Sequence, residues 1–257
     1  MSFKEPPQDV IAGCNPVREA LKANRPVNKL LVARRIETGG WQEIRRLVQE
    51  KQIPVQQVER VYLDKLFPGT VHQGVVALTA CKEYLSIDEV LLAAGKEQPF
   101  LILLHEITDP HNLGAIIRTA EATGVHGVVI TSHRSASLTP AAMKAAAGAA
   151  EYVPVSRVTN MAQAIRYLQQ QNIWVVGAHP AAKDIFWNAR LDGPIALVIG
   201  SEGKGLGPHI RDNCDLLVRL PMAGNLNSLN ASVAAAVLAY EVFRQRRMAT
   251  HGRVPDC

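Results

Sequence analysis

Residues Leu220 to Arg247 read LPMAGNLNSLNASVAAAVLAYEVFRQRR, and their character changes twice. The stretch opens as the end of an apolar strand, Asp215 to Pro221 (DLLVRLP). It passes through a loop of small and amide residues, Ala223 to Asn230 (AGNLNSLN), and enters an alanine-rich helix. One Ser or Asn at the N-cap satisfies a free backbone N–H of a helix start. This loop holds Asn225, Asn227, Ser228 and Asn230. The surplus either closes local Asx-turns or faces a polar ligand. The stretch alone leaves both readings open.

Moving outward, the same strand–helix alternation fills the chain from Pro99 onward. Apolar runs lie at Phe100–Glu106, Val125–Thr131, Trp174–Ala178, Ile195–Gly200 and Leu216–Leu220, with a shorter one near Tyr152–Val155. Helical patterns separate them at Leu113–Thr123, Pro140–Ala149, Met161–Gln171, Gly205–Asn213 and Asn230–Arg247. Near-continuous Val/Ile/Leu strands alternating with helices predict a parallel sheet covered on both faces. Ligands of such sheets bind beyond the carboxyl ends of the strands.

Three strand ends carry unusual turns. After Phe100–Glu106 comes ITDPHNLGAIIR, with Asp109-Pro110 as a turn, Asn112 as a helix cap and Arg118 six residues later. An Arg so near a helix start opposes the helix dipole and calls for an anionic partner, either a carboxylate such as Glu121 or a phosphate. After Ile195–Gly200 comes SEGKGLG. Its glycines at 200, 203, 205 and 207 fit neither GxxxxGK[ST] nor GxGxxG, yet they allow close backbone approach to a flat ligand. Glu202 within it repels phosphate and suits Arg118 or a ligand amine. The third turn is the opening loop. Three such turns on one sheet edge point to a site.

The front 80 residues alternate differently: helix Asn15–Ala23, capped by Asn15 with Pro16 at its first position; strand Lys29–Ala33; helix Trp41–Gln52; strand Pro54–Val58; helix Arg60–Phe67; strand His72–Ala80. This predicts a small three-layer α/β sandwich, preceded by a frayed SFKEPPQDV. Its cations, among them Arg18, Arg25, Arg45 and Arg46, are read as a solvated face. The loop Pro68–Gly74 (PGTVHQG) is the better candidate for RNA contact. No RNP aromatic pattern or GXXG clamp is present.

Composition sets the remaining bounds. The chain has 257 residues, 47% hydrophobic and 20% charged, ordinary for a globular protein. No apolar run reaches the roughly 18 residues of a membrane span, and the N-terminus lacks an apolar signal core, so a cytoplasmic protein is expected. Cys14, Cys81, Cys214 and Cys257 form no CxxC pair, and the histidines show no HxxxH or HExxH spacing. A metal or a disulfide framework is not expected. The net charge is +5, compatible with nucleic acid. Residues 1–82 hold 13 Lys/Arg against 8 Asp/Glu, residues 83–98 hold 1 against 4, and residues 99–257 hold 14 against 11. The split predicts a domain over 1–82, a linker over 83–98 and a second domain over 99–257.

The motifs Asn112-x-Gly114-x-x-x-Arg118, Val198 to Gly203 (VIGSEG), and Leu220-Pro-Met-x-Gly224 with Asn227 to Val233 (NSLNASV) resemble the three ordered motifs of the SPOUT class. They are similar to its TrmH-type branch of RNA ribose 2′-O-methyltransferases. The front domain resembles the L30e-like substrate-binding domain of some members. In layout the chain is most similar to bacterial enzymes that methylate a guanosine ribose of 23S ribosomal RNA.

This resemblance implies a SPOUT domain with a deep trefoil knot, through which the last helix threads. It implies S-adenosylmethionine as methyl donor, no metal, and a homodimer with the site near the subunit interface. Residue by residue it implies Arg118, Asn112, Glu202, Ser228 and Asn230 as the catalytic set. Ile199, Gly200, Gly203, Leu220, Met222, Ser228 and Leu229 would hold the donor. A transfer-RNA ribose methyltransferase, a ribosomal-antibiotic resistance enzyme, a non-catalytic RNA-binding assembly factor and a Rossmann-type nucleotide enzyme are the alternatives. The failed glycine spacing argues against the last.

Overall fold

The computed structural model of the chain describes residues 8–25, 27–34, 36, 40–80, 83–201, 203, 205–224 and 228–251. Its first part contains β1 (Gln8–Ala12), α1 (Cys14–Lys22), β2 (Val27–Ala33), α2 (Trp41–Glu50), β3 (Val55–Val58), α3 (Arg60–Leu66) and β4 (Val75–Ala80). The sheet order is β1-β4-β2-β3, with only β2 and β3 parallel among its pairs. Alternation along β2 sends Leu30 and Val32 to one face and Leu31 and Ala33 to the other. The first pair packs with Val17 and Leu21 of α1 and Ile44 and Val48 of α2. The second packs with Leu63 of α3. The result is the three-layer arrangement that the alternation predicts.

Three local expectations fail here. The end of the segment read as frayed, residues 8–10, lies in β1, paired antiparallel along β4. Asn15 does not cap α1; Gly13 does, at φ 98° and without a side-chain cap bond. The freed Cys14 N–H donates instead to Gln73 Oε1 at 3.0 Å. Arg25 is not on a solvated face. It is buried and donates to Glu151 Oε1 at 2.7 Å, tying the front part to the rest.

The second part holds α4 (Ile87–Ala93), β5 (Phe100–Leu104), α5 (Pro110–Ala122), β6 (Gly127–Thr131), α6 (Pro140–Ala146), β7 (Val155–Val158), α7 (Met161–Gln170), β8 (Trp174–Ala178), β9 (Asp184–Ile185), β10 (Ile195–Ile199), α8 (Pro208–Arg211), β11 (Leu216–Arg219) and α9 (Ala231–His251). Seven parallel strands run in the order β7-β6-β5-β10-β8-β11-β9. Ile102 and Leu104 of β5 face α5, α6 and α9. Leu101 and Leu103 face α4, α7 and α8. Burial on both faces is why these strands carry no polar alternation.

Residues 83–98, expected as a linker, are built onto this sheet. Ser86 and Glu89 form a reciprocal capping box that starts α4. Leu85 N–H donates to Val155 O at 2.9 Å. Val90 is fully buried over Gly127, where a Cβ would come within 2.3 Å of its Cγ1.

The chain leaves β5 for β6 and β7 on one side, and β10 returns on the other side of β5. The strand order therefore reverses between β5 and β10. Their carboxyl ends are where this architecture places a ligand.

Candidate active site

Three loops meet at that edge. The turn after β10 is drawn tight by Gly205 N–H donating to Ser201 O at 2.8 Å. It requires glycine: Gly203 has φ 76° and Gly205 φ 62°. A Cβ on Gly200 would lie 2.2 Å from the Gly205 carbonyl oxygen, closer than atoms can approach. The unusual glycine spacing thus folds this loop onto itself, and no phosphate loop is formed.

A cavity opens beside the loop, at the place where such a sheet binds its ligands. Ile199, Gly200 and Gly203 line it from the β10 turn. Leu220 and Met222 line it from the end of β11, and Ser228, Leu229, Ala231 and Ala234 from the start of α9. All seven residues expected to hold a donor therefore stand around one cavity. Its small α9 residues leave the space open, and its apolar walls suit a flat ring. Sequence reasoning missed Ala178, His179 and Pro180, which line it from the end of β8. The signal was present, because β8 was predicted, but its carboxyl end carries no glycine or amide cluster.

The first turn of α5 adjoins the start of α9. Asn230 Nδ2 donates to Asn112 Oδ1 at 3.0 Å. Asn230 Oδ1 also accepts from the Ser232 and Val233 N–H groups at 2.9 and 3.3 Å. The two expected asparagines are thus joined, and Asn230 caps α9. Asn112 does not cap α5. Asp109 does, accepting from His111 N–H at 2.9 Å, with Pro110 at the first helical position. Gly114, which sits between the two motif residues, has a packing reason: a Cβ there would lie 2.4 Å from Ala142 O of α6.

Arg118 stands apart. It is exposed on α5 and lines none of the cavity. Among the described residues it makes no hydrogen bond or ion pair, so the Glu121 pairing is absent. Glu202, expected as its carboxylate partner, lies outside the described residues, as do Asn225 and Asn227.

Beyond the β10 turn lies a second crevice, lined by His105, His133, Arg134, Asn160 and His209 among others. Burial holds the His105 imidazole below its ordinary pKa, partly opposed by Glu106. Its Nδ1 has no partner among the described residues. These residues also include no group of three or more His, Cys, Asp or Glu able to hold a metal, and no helix long and apolar enough to cross a membrane.

In the loop read as an RNA contact, Pro68–Gly74, two side chains are engaged within the fold, while Pro68, Gly69 and Thr70 line a further cavity. His72 is 3% exposed; its Nδ1 accepts from Gly74 N–H at 3.0 Å, and its Nε2 meets Asp64 Oδ1 at 2.9 Å. The Gln73 amide serves α1, as described above.

Comparison with known proteins bears on both parts. Residues 99–240 match the family model of the SpoU rRNA methylase family, and residues 10–85 that of RNA 2′-O ribose methyltransferase substrate binding. The chain is 47% identical over 240 residues to the TrmH family tRNA/rRNA methyltransferase YacO of Bacillus subtilis, covering 93% of this chain and 96% of that protein. Its fold matches the SpoU methyltransferase AviRb from Streptomyces viridochromogenes with a TM-score of 0.81 and 27% identity over 96% of this chain and 91% of that one. The complex of AviRb with AdoMet matches at 0.79, with 27% identity over 93% and 90%. The TrmH/SpoU tRNA modifying enzyme of A. aeolicus matches at 0.54 and 25% identity, over 62% of this chain and 81% of that one.

Proposed function

This chain belongs to the SpoU rRNA methylase family, and we propose that within it the enzyme methylates the 2′-hydroxyl of a guanosine ribose in 23S ribosomal RNA. It is an S-adenosylmethionine-dependent RNA 2′-O-methyltransferase. The observation favouring ribosomal over transfer RNA is the family match: residues 99–240 match an rRNA methylase family, whereas the tRNA modifying enzyme matches 62% of the chain. Mapping 2′-O-methyl marks in ribosomal and transfer RNA from cells lacking the protein tests this. A mark lost from 23S RNA is expected; one lost only from transfer RNA rejects the reading.

The cavity fits the methyl donor. Gly200 packs directly on the folded-back Gly205, so a side chain there would displace the loop that borders the cavity. Ile199, Leu220, Met222 and Leu229 offer apolar walls, and Ser228 offers a hydroxyl. When bound, S-adenosylmethionine supplies an electrophilic methyl on a sulfonium. The chain's own task is to bring a ribose hydroxyl in line with it, a positioning effect of large magnitude. Asn112 and Asn230, joined at 3.0 Å beside the cavity, orient the ribose. Arg118 clamps the adjacent phosphate, because a guanidinium is a weak base but a good bidentate phosphate ligand. Glu202 belongs to the same catalytic set.

A homodimer completes the site in this reading. α9 leaves Val233, Tyr240 and Met248 about half exposed. Their spacing of seven and eight residues places them on one stripe of the helix. Arg118 lies outside the cavity of its own protomer, as a site shared by two copies would have it. The knot belongs here too. It is supported by α9 packing on β10 while its first turn lines the cavity beside the β10 turn.

A further inference from the structure

A third cavity, of about 350 Å³, lies between the front part of the chain and the second sheet. Phe67 and Pro68 line one wall, after α3. Pro140, Met143 and Lys144 of α6 line the other, and His111 of α5 stands at one end. The floor is fixed, because Arg25 and Glu151 pair at 2.7 Å with side chains 6% and 4% exposed. Beside them the Tyr152 hydroxyl donates to Glu19 Oε2 at 2.7 Å, and Gly148 lets Glu19 pack against its backbone.

The two parts are therefore held against each other with an open slot between them. Its carboxylate, Glu151, is neutralised by Arg25. Its cation, Lys144, is exposed and has no acidic partner among the described residues. One residue links the slot to the asparagine pair: His111 precedes Asn112, which is bonded to Asn230 at the start of α9.

We propose that this slot receives an unpaired nucleotide of the substrate RNA, next to the methylated one. Its base lies between Phe67/Pro68 and Pro140/Met143, and its phosphate meets Lys144 and His111. Apolar walls with one free cation match a base and its phosphate, and unpaired bases splayed from RNA are bound by such stacking. The proposal rests on the methyltransferase reading above. It adds that the front domain recognises RNA together with α6, through Phe67 and Pro68 and not through His72 or Gln73.

The test uses the full chain, in vitro-transcribed 23S RNA and two variants. Ala141→Trp, at an exposed α6 position lining the slot, fills it. Lys144→Glu reverses its charge, and Lys96→Glu, on the exposed surface elsewhere, is the control. Ala141→Trp should raise the KM for RNA roughly ten- to hundredfold, the scale of one lost base stack. Lys144→Glu should weaken RNA binding and lower the salt slope of log K by about one. Affinity for S-adenosylhomocysteine and the melting temperature should stay as in the wild type, and Lys96→Glu should leave the KM unchanged. Unchanged RNA affinity in both slot variants overturns the proposal. So does a change confined to sedimentation, which would make the slot a contact between copies. A wild type that methylates no RNA would instead reject the underlying reading.

Discussion

The loop at 68–74 and the turns at 200–207 and 220–230 look alike in sequence, each mixing glycine with hydrogen-bonding side chains. In the structure they differ in where their bonds go. His72 and Gln73 are occupied by Asp64, Gly74 and Cys14, all within the front domain. Ser228, Leu229 and the Gly200 turn border the cavity at the strand ends, while Pro68, Gly69 and Thr70 line the slot. Asn230 does both, since one side of its amide caps α9 and the other reaches Asn112. A polar loop becomes a candidate site only after its internal bonds have been counted. What remains unpaired beside a cavity is what a ligand can use.

Four substitutions and one titration press on that contrast. Arg118→Ala should have the largest effect, because the side chain has no structural partner. Methyl transfer should fall by on the order of 10²–10³ or more, with donor affinity and melting temperature retained. A rate within about tenfold of wild type would remove Arg118 from the reaction. Gly200→Ala comes next, since its Cβ would meet Gly205 O at 2.2 Å. Relieving that overlap costs roughly 1–3 kcal/mol, and displacement of the loop should appear as weakened S-adenosylhomocysteine binding by calorimetry.

His72→Ala is the mirror case. It leaves the buried Gly74 N–H unpaired and should cost roughly 1–3 kcal/mol of stability in denaturant unfolding, with RNA affinity unchanged in the folded protein. A loss of RNA affinity at full stability would erase the contrast. Asn230→Ala should show both signatures at once: about 1 kcal/mol from the lost cap and slower methyl transfer.

The smallest effect is a pH slope. His105 is held below its ordinary 6.5 by burial. Below that pH the unfolded chain takes up a proton that the folded chain resists, so stability falls as the pH drops through and below 6.5. In His105→Gln, melting temperatures between pH 7.5 and 5.5 should fall less steeply than in the wild type.

The second sheet was legible because β5, β6 and β10 are buried on both faces and read as unbroken apolar runs. The cavity residues were legible from strand ends that carry glycine and amides. What escaped is set by tertiary partners. β1 hid in a Pro-containing polar segment, and it exists because β4 offers it an edge. Residues 83–98 looked like a connector because their charge is acidic, while Val90 and Leu85 do the packing. Asp109, not Asn112, caps α5, since a Pro at 110 fixes the first helical position one residue after it. Arg246, near the carboxyl end of α9, donates to Gln98, Pro99 and Gly193 carbonyls at 2.7–2.9 Å and lies over the Phe100 ring. No local pattern announces such a contact 147 residues away in sequence.

That contact gives α9 a use at each end. Its first turn, at Ala231 and Ala234, borders the cavity. Arg246, four turns on, clasps the entries to β5 and β10 at the opposite edge of the sheet. The helix is a strut about 30 Å long joining the two edges. An opening that frees one end must loosen the other, so both behave as a single cooperative unit. Occupancy of the cavity would then slow hydrogen exchange at the far edge of the sheet, at the amides of Phe100 and Ile195, beyond the reach of any bound molecule.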